Sequence, residues 1–120
     1  MYKIIFYRDK SGKQPVKEYL RELADKKGKD ARIKLKKIGD YIQLLAEYGA
    51  TMGEPYMKHI EGDIWELRPL SDRIFFVAWT GHSYVLLHAF RKKTQNTPER
   101  EKEQARRELK DLQERGIDDE

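Results

Sequence analysis

The chain has 120 residues, 38% of them hydrophobic and 38% charged, with a formal net charge of +4 at pH 7. This length predicts a single domain over residues 1–120. The absence of cysteine excludes a disulfide framework, thiolate zinc sites and a cysteine nucleophile, and favours a cytoplasmic protein. No stretch approaches the ~20 apolar residues of a membrane span, and the first ten residues do not form a signal peptide, so we expect no membrane association.

The amino-terminal half predicts one strand followed by a helical hairpin. Aromatic and β-branched residues at 2–7 indicate the strand. Pro15 suits the first turn of a helix, and apolar residues then repeat at helical spacing from Val16 to Leu23. A second helix runs from about residue 31 to Gly49. Gly39 lies inside it and is expected to mark a close packing contact, because an interior glycine costs a helix ~1 kcal/mol.

The carboxy-terminal half predicts a sheet and a last helix. Residues 49–63 are rich in glycine and are interpreted as a loop, and strands are predicted at 64–68, 74–80 and 83–90. Pro98 opens the final helix, and the last four residues are expected to fray. The order β-α-α-β-β-β-α predicts an α+β fold: a mostly antiparallel sheet with the helical hairpin packed on one face and a C-terminal helix.

Positive charge is concentrated near the amino terminus, where residues 1–40 hold 13 Lys and Arg against 6 Asp and Glu. Phosphate contacts supply most of the sequence-independent affinity for nucleic acid, so this imbalance favours a polyanionic partner. A solvated, lysine-rich helix face explains it equally well. The charge alone therefore leaves both interpretations open.

The sequence lacks the common nucleotide-binding, zinc-protease and serine-hydrolase motifs, and its three histidines do not have metal-ligand spacing. We expect no metal and no cofactor. Basic residues instead follow the predicted strands: Arg68 and Arg73 flank one short turn, and residues 91–93 would emerge at the same end of the sheet. Guanidinium groups suit phosphate binding and can stabilise the charge that builds on a phosphoryl group. They could equally serve to solvate a sheet edge.

RNA carries its own nucleophile, the 2′-hydroxyl group. Fixed cations and one proton acceptor could therefore cleave RNA without a metal.

Four motifs occur in one order and spacing across residues 54–98: IWELR, DRIFFV, LLHAF and RKKTQNTP. Together they resemble the phage-derived, HigB-like branch of the RelE/ParE toxin superfamily. YKIIFY and the helical hairpin fit the same pattern loosely, so the resemblance extends over nearly the whole chain. It implies a RelE-like fold and the toxin of a type II toxin–antitoxin system.

The resemblance implies a ribosome-dependent, metal-independent endoribonuclease that cleaves mRNA and inhibits translation. The implied partners are a cognate HigA-like helix-turn-helix antitoxin, the ribosome and mRNA, with DNA contacted only through the antitoxin complex. Lysines of the second helix would contact ribosomal RNA. Two other functions stay open: a ParE-like poison of DNA gyrase, and an RNA-binding protein of the same fold that does not cleave. A basic cluster favours the nuclease over the ParE-like alternative, because ParE members tend to lack one.

The resemblance also implies roles for individual residues. Arg73 would contact the scissile phosphate, Arg68 closes the preceding strand, and Lys92 and Lys93 occupy the basic position after the last strand. These four are the predicted catalytic residues. Residues expected to bind RNA or to have a secondary role are Arg91, Lys58, His88 and Glu66.

The proton acceptor is not assigned by the resemblance. RelE carries catalytic lysines at strand positions held here by Ile64 and Glu66, and a tyrosine where this chain has Pro98. His88 is one substitute because histidine titrates near neutrality, although its strand position equally indicates a buried structural residue. Glu66 is either a base or the partner that orients an arginine, and a lysine of lowered pKa is the third substitute.

Overall fold

The computed structural model describes residues 1–117, so three of the four last residues expected to fray, 118–120, lie outside that part. Every predicted helix and strand is present, but the predicted loop at 49–63 also contains a fifth strand. No helix within residues 1–117 is long and apolar enough to cross a membrane. The strands are β1 (Lys3–Phe6), β2 (Met57–Glu61), β3 (Ile64–Leu67), β4 (Asp72–Ala78) and β5 (Ser83–Arg91). The α-helices are α1 (Pro15–Asp25), α2 (Lys29–Tyr48) and α3 (Glu99–Arg115), and a 3₁₀ turn covers Gly49–Met52.

The five strands form one sheet in the order β1-β5-β4-β3-β2. β1 pairs with β5 in parallel, while the other three neighbouring pairs are antiparallel. The sheet is mixed, so the prediction of a mostly antiparallel sheet is wrong. The apolar pattern of β1 specifies a strand but not the direction of its neighbour. The chain between β1 and β5 includes the helical hairpin and three strands, and this connection is long enough to allow parallel pairing.

Helices cover both faces of the sheet, which differs from the predicted arrangement. The α1–α2 hairpin packs on one face, where Ile38 and Leu45 are buried with Ile74 and Phe76. On the opposite face α3 packs over Phe75 and Val77 through residues that include Ala105 and Leu112. Alternation along β4 therefore fills two cores, because successive strand side chains point to opposite faces. The result is three layers, with α3 opposite the hairpin.

Two glycines of the hairpin have different roles. Gly49 ends α2 as predicted, with φ 59°. A Cβ atom there would lie 2.7 Å from the Tyr2 ring and 2.8 Å from the Tyr84 hydroxyl, so a side chain is excluded by space as well as by backbone conformation. Gly39 is exposed, and a Cβ atom at this position would meet nothing within 4 Å. The predicted packing contact at Gly39 is wrong.

Candidate functional site

Five of the predicted site residues meet at one end of the sheet. We call them the Glu66 cluster: Lys58, Glu66, Arg68, Arg73 and Lys92. Glu66 shares the α3 face of β3 with Ile64, and cross-strand pairing places Lys58 beside it. The Glu66 Oε2 atom lies 3.5 Å from Arg68 Nε and 3.9 Å from Arg73 Nε. Only 1% of Glu66 is exposed. The sheet thus holds one buried carboxylate within a ring of four cations.

Arg73 is fixed by the turn between β3 and β4. Its Nη1 atom donates hydrogen bonds of 2.8 Å to the carbonyl oxygens of Leu70 and Asp72. Leu70 has φ 56°, a left-handed conformation that is uncommon outside glycine. The Arg73 side chain is 11% exposed, compared with 27% for Arg68. Arg73 is therefore held in place and largely covered, and Arg68 is the more accessible guanidinium.

A second buried carboxylate supports the start of β4. Asp72 is fully buried and accepts a hydrogen bond from the Tyr19 hydroxyl of α1. Burial, together with this hydrogen bond, raises the pKa of Tyr19. The contact ties the helical hairpin to the strand that carries Arg73. The sequence does not reveal this pair, because the two residues are 53 positions apart and no motif links them.

Burial shifts the pKa of three groups of the cluster: it raises that of Glu66 and lowers those of Arg73 and Lys92. Burial raises the pKa of Glu66, although the charges of Arg73, Lys92, Arg68 and Lys58 act to lower it. Burial lowers the pKa of Lys92, and the charges of Arg73, Arg68 and Lys58 lower it further, opposed only by Glu66. Glu66 therefore holds a proton more readily than a free glutamate does, and Lys92 releases one more readily than a free lysine. Both are chemically suited to proton transfer.

Several polar atoms of the cluster have no hydrogen-bond partner among the described residues. They are Glu66 Oε1, Arg68 Nε and Arg73 Nε, and Asp72 Oδ2 lies nearby in the chain. Folded proteins leave few buried polar atoms unpaired. Two of these atoms are guanidinium donors, and the oxygens of a phosphate group are their natural acceptors. A bound anion would satisfy the two guanidinium donors but not the two carboxylate oxygens, which are acceptors.

His88 lies apart from the cluster, buried between β5 and α3. Its Nδ1 atom is 2.6 Å from Glu108 Oε1, and its Nε2 atom is 3.1 Å from Glu101 Oε1. The ring also packs edge-on against Phe75, with centroids 5.3 Å apart. Both ring nitrogens are engaged by α3, so the geometry favours the structural interpretation of His88.

Arg91 and Lys93 lie on the other side of the β5 end. Both are exposed and face the helical hairpin, where Arg91 lines a cleft with Lys26 and Lys34. Lys93 lines the adjoining cleft with Tyr19 and Arg91. Of the four predicted catalytic residues, the structure brings Arg68, Arg73 and Lys92 together and places Lys93 elsewhere. No group of three or more His, Asp or Glu side chains in residues 1–117 could hold a metal ion.

The family described as "Phage derived protein Gp49-like (DUF891)" matches residues 17–110, which include most of α1, all of α2, strands β2 to β5 and the whole Glu66 cluster. The chain belongs to this Gp49-like family. The family is toxin–antitoxin-related and RelE/HigB-like, which confirms the resemblance at the level of the family. It also indicates an antitoxin partner for this Gp49-like protein. No curated protein matches the chain.

Proposed function

We propose that this Gp49-like protein is the HigB-like toxin of a type II toxin–antitoxin pair, and that it is an endoribonuclease cleaving mRNA on the ribosome. Its partner would be a HigA-like helix-turn-helix antitoxin. The observation that carries the proposal is the Glu66 cluster, in which four cations surround one buried carboxylate and the Nε atoms of both arginines have no hydrogen-bond partner among the described residues. Such a site can hold a phosphodiester and stabilise the charge that builds on it during cleavage.

In the proposed reaction the RNA supplies the nucleophile. The 2′-oxygen forms a bond to the adjacent phosphorus, and the bond from phosphorus to the 5′-oxygen breaks. The products are a 2′,3′-cyclic phosphate and a 5′-hydroxyl group. One proton passes from the 2′-hydroxyl to a base of the protein, and water supplies one proton to the departing 5′-oxygen. Arg68 and Arg73 would bind the non-bridging phosphate oxygens, where negative charge increases in the transition state.

Lys92 is our candidate for the group that accepts the 2′-hydroxyl proton. Its lowered pKa makes the neutral amine more available than in a free lysine. Glu66 instead faces the Nε atoms of both arginines and is suited to holding them in place. His88 is occupied by Glu108 and Glu101. This assignment selects the lysine of lowered pKa from the three acceptors that the sequence left open.

The test compares wild type with Lys92→Arg, which keeps the positive charge but removes the titrating amine. Cleavage of message on ribosomes should rise with pH through the lowered pKa of Lys92 in wild type. The variant should cleave at least ~10²-fold more slowly, within the range typical of a lost acid–base group, while still binding RNA. Cleavage by wild type should increase sharply when ribosomes are added to free message, since positioning can contribute several kcal/mol. An unchanged rate and pH profile in Lys92→Arg would contradict the assignment.

A non-cleaving RNA-binding protein is the second candidate function. The observation that favours it is the burial of Arg73, whose Nη1 atom is already engaged by two carbonyl oxygens. In that case Arg68, Lys58 and Lys92 would hold the RNA backbone without promoting chemistry. Wild type would then shift the mobility of RNA and leave translated message intact, which separates the two functions in one experiment.

A further inference from the structure

A second basic cleft lies across the β5 end from the Glu66 cluster. It consists of two adjoining cavities of about 370 and 270 Å³ between the helical hairpin and the end of β5. Both cavities are lined by Leu23, Lys26, Lys34 and Arg91. We call the two together the hairpin cleft. Lys93 completes its lining on one side.

The cations of the hairpin cleft are not neutralised by close partners. Glu22 and Asp30 also line it, but within residues 1–117 no side-chain hydrogen bond or ion pair involves any of its four cations, Lys26, Lys34, Arg91 and Lys93. Some basic residues elsewhere are paired: Lys36 lies 3.3 Å from Asp40, and Arg106 binds Glu61 at 2.7 Å. Four unpaired cations against two carboxylates leave the cleft with a net positive charge.

The walls of the cleft strengthen its attraction for an anion. Leu23 and Ala31 are buried, so one side of the cleft is apolar and screens charge less than open water does. The cleft also includes the first turn of α2, at Asp30 and Ala31.

The position of the cleft indicates which polyanion fits. Arg91 lines the cleft and Lys92 belongs to the Glu66 cluster, and the Cα atoms of adjacent residues are ~3.8 Å apart. One chain of phosphates passing around the β5 end could therefore contact both sites. A phosphodiester strand carries one charge on every nucleotide along its length. An acidic polypeptide would fill the cleft but has no phosphate group for Arg68 and Arg73 of the Glu66 cluster to bind.

We propose that the hairpin cleft binds backbone phosphates of the same single-stranded RNA whose scissile phosphate lies at the Glu66 cluster. The scissile position rests on the proposed function, whereas binding in the cleft requires no cleavage. Among the lysines of α2, Lys34 contacts the RNA, together with Lys26, Arg91 and Lys93 from neighbouring segments. Lys36 is excluded, because it does not line the cleft and lies 3.3 Å from Asp40.

The test uses the full chain and a 2′-O-methyl RNA ten nucleotides long, roughly the length of a single-strand binding site. This probe lacks the nucleophile, so binding is measured without cleavage. The variant Lys34→Gln/Arg91→Gln removes two charges from the cleft and keeps most of the side-chain length. The matched control Lys36→Gln/Arg107→Gln removes two exposed charges outside the cleft. Fluorescence anisotropy gives the affinity of each protein over a range of salt concentrations.

We expect the cleft variant to bind at least ~10-fold more weakly at low salt. The slope of log affinity against log salt should fall by about 1.4, since each phosphate contact on a single strand contributes about 0.7. The control should keep the wild-type slope. Equal slopes in the two variants would overturn the proposal. A ten-residue polyglutamate serves as a second probe: if the cleft variant binds this peptide more weakly but binds the RNA as wild type does, the occupant of the cleft is a protein and the proposal is wrong. If wild type cleaves no message but the cleft variant shows the reduced slope, the proposed function fails and this inference stands.

Discussion

Replacing Arg73 with alanine should destabilise the fold as well as remove a phosphate ligand. The side chain donates two hydrogen bonds of 2.8 Å, to the carbonyl oxygens of Leu70 and Asp72. Hydrogen bonds from a charged group each contribute roughly 1.5–3 kcal/mol. Leu70 is exposed, so its carbonyl would partly regain a partner in water. We therefore expect Arg73→Ala to lower the free energy of unfolding by about 2–4 kcal/mol, which includes the loss of one cation beside Glu66.

Arg68→Ala is the matched control for this change. Arg68 also approaches Glu66, but its side chain makes no hydrogen bond among the described residues and is 27% exposed. We expect it to lose less stability than Arg73→Ala, because Arg68 donates no side-chain hydrogen bond among the described residues. For a chain of this size the Arg73 loss corresponds to a fall in Tm of roughly 8–15 °C. Both variants should impair cleavage. The free energy of unfolding therefore distinguishes Arg73, which also supports the turn, from Arg68, which does not.

Urea unfolding followed by tryptophan fluorescence measures the difference, since Trp65 lies on β3 beside the cluster. Growth arrest by each variant is then compared at equal soluble yield. We expect Arg73→Ala to unfold at a clearly lower urea concentration than Arg68→Ala and to be tolerated by cells. Equal midpoints for Arg73→Ala and wild type would refute the reasoning. The guanidinium would then be free for substrate, and its contacts with the turn would add nothing.

Three further predictions concern stability and products. Because burial raises the pKa of Glu66, its proton adds stability at low pH that is lost as pH rises through the raised value. In urea titrations, the free energy of unfolding of Glu66→Gln minus that of wild type should therefore increase from acid to neutral pH. A difference that stays constant with pH would contradict this prediction. Gly39→Ala should raise the free energy of unfolding by about 0.5–1 kcal/mol, because the site is exposed and open; calorimetry showing a lower Tm would refute it. Message cleaved in the presence of a chelator should carry 5′-hydroxyl ends. Products with 5′-phosphate ends, whose formation stops when a chelator is added under conditions that keep the ribosomes intact, would exclude the proposed chemistry.

The sequence by itself determined the local elements, and it named the five residues of the Glu66 cluster but grouped Lys93, Arg91 and His88 with them. Periodic apolar residues specified three helices, Pro15 and Gly49 marked the start of α1 and the end of α2, and alternation specified the strands. These signals are local, because side-chain spacing and backbone conformation act over a few residues. The sequence also predicted that Arg68, Arg73 and Lys92 lie at strand ends, since each of them follows or opens a strand. Strand β2 was missed because glycines on both sides of it favoured a loop.

Tertiary structure alone decided how these parts meet. The parallel pairing of β1 with β5 depends on where the hairpin returns the chain, which the pattern of β1 does not contain. The separation of Lys92 from Lys93 and the burial of Glu66 between two arginines depend on which face of the sheet α3 covers. The pKa shifts of Glu66 and Lys92 follow from that burial and from charges on other strands. Desolvation and Coulomb energies act through space, so residues distant in the sequence set them.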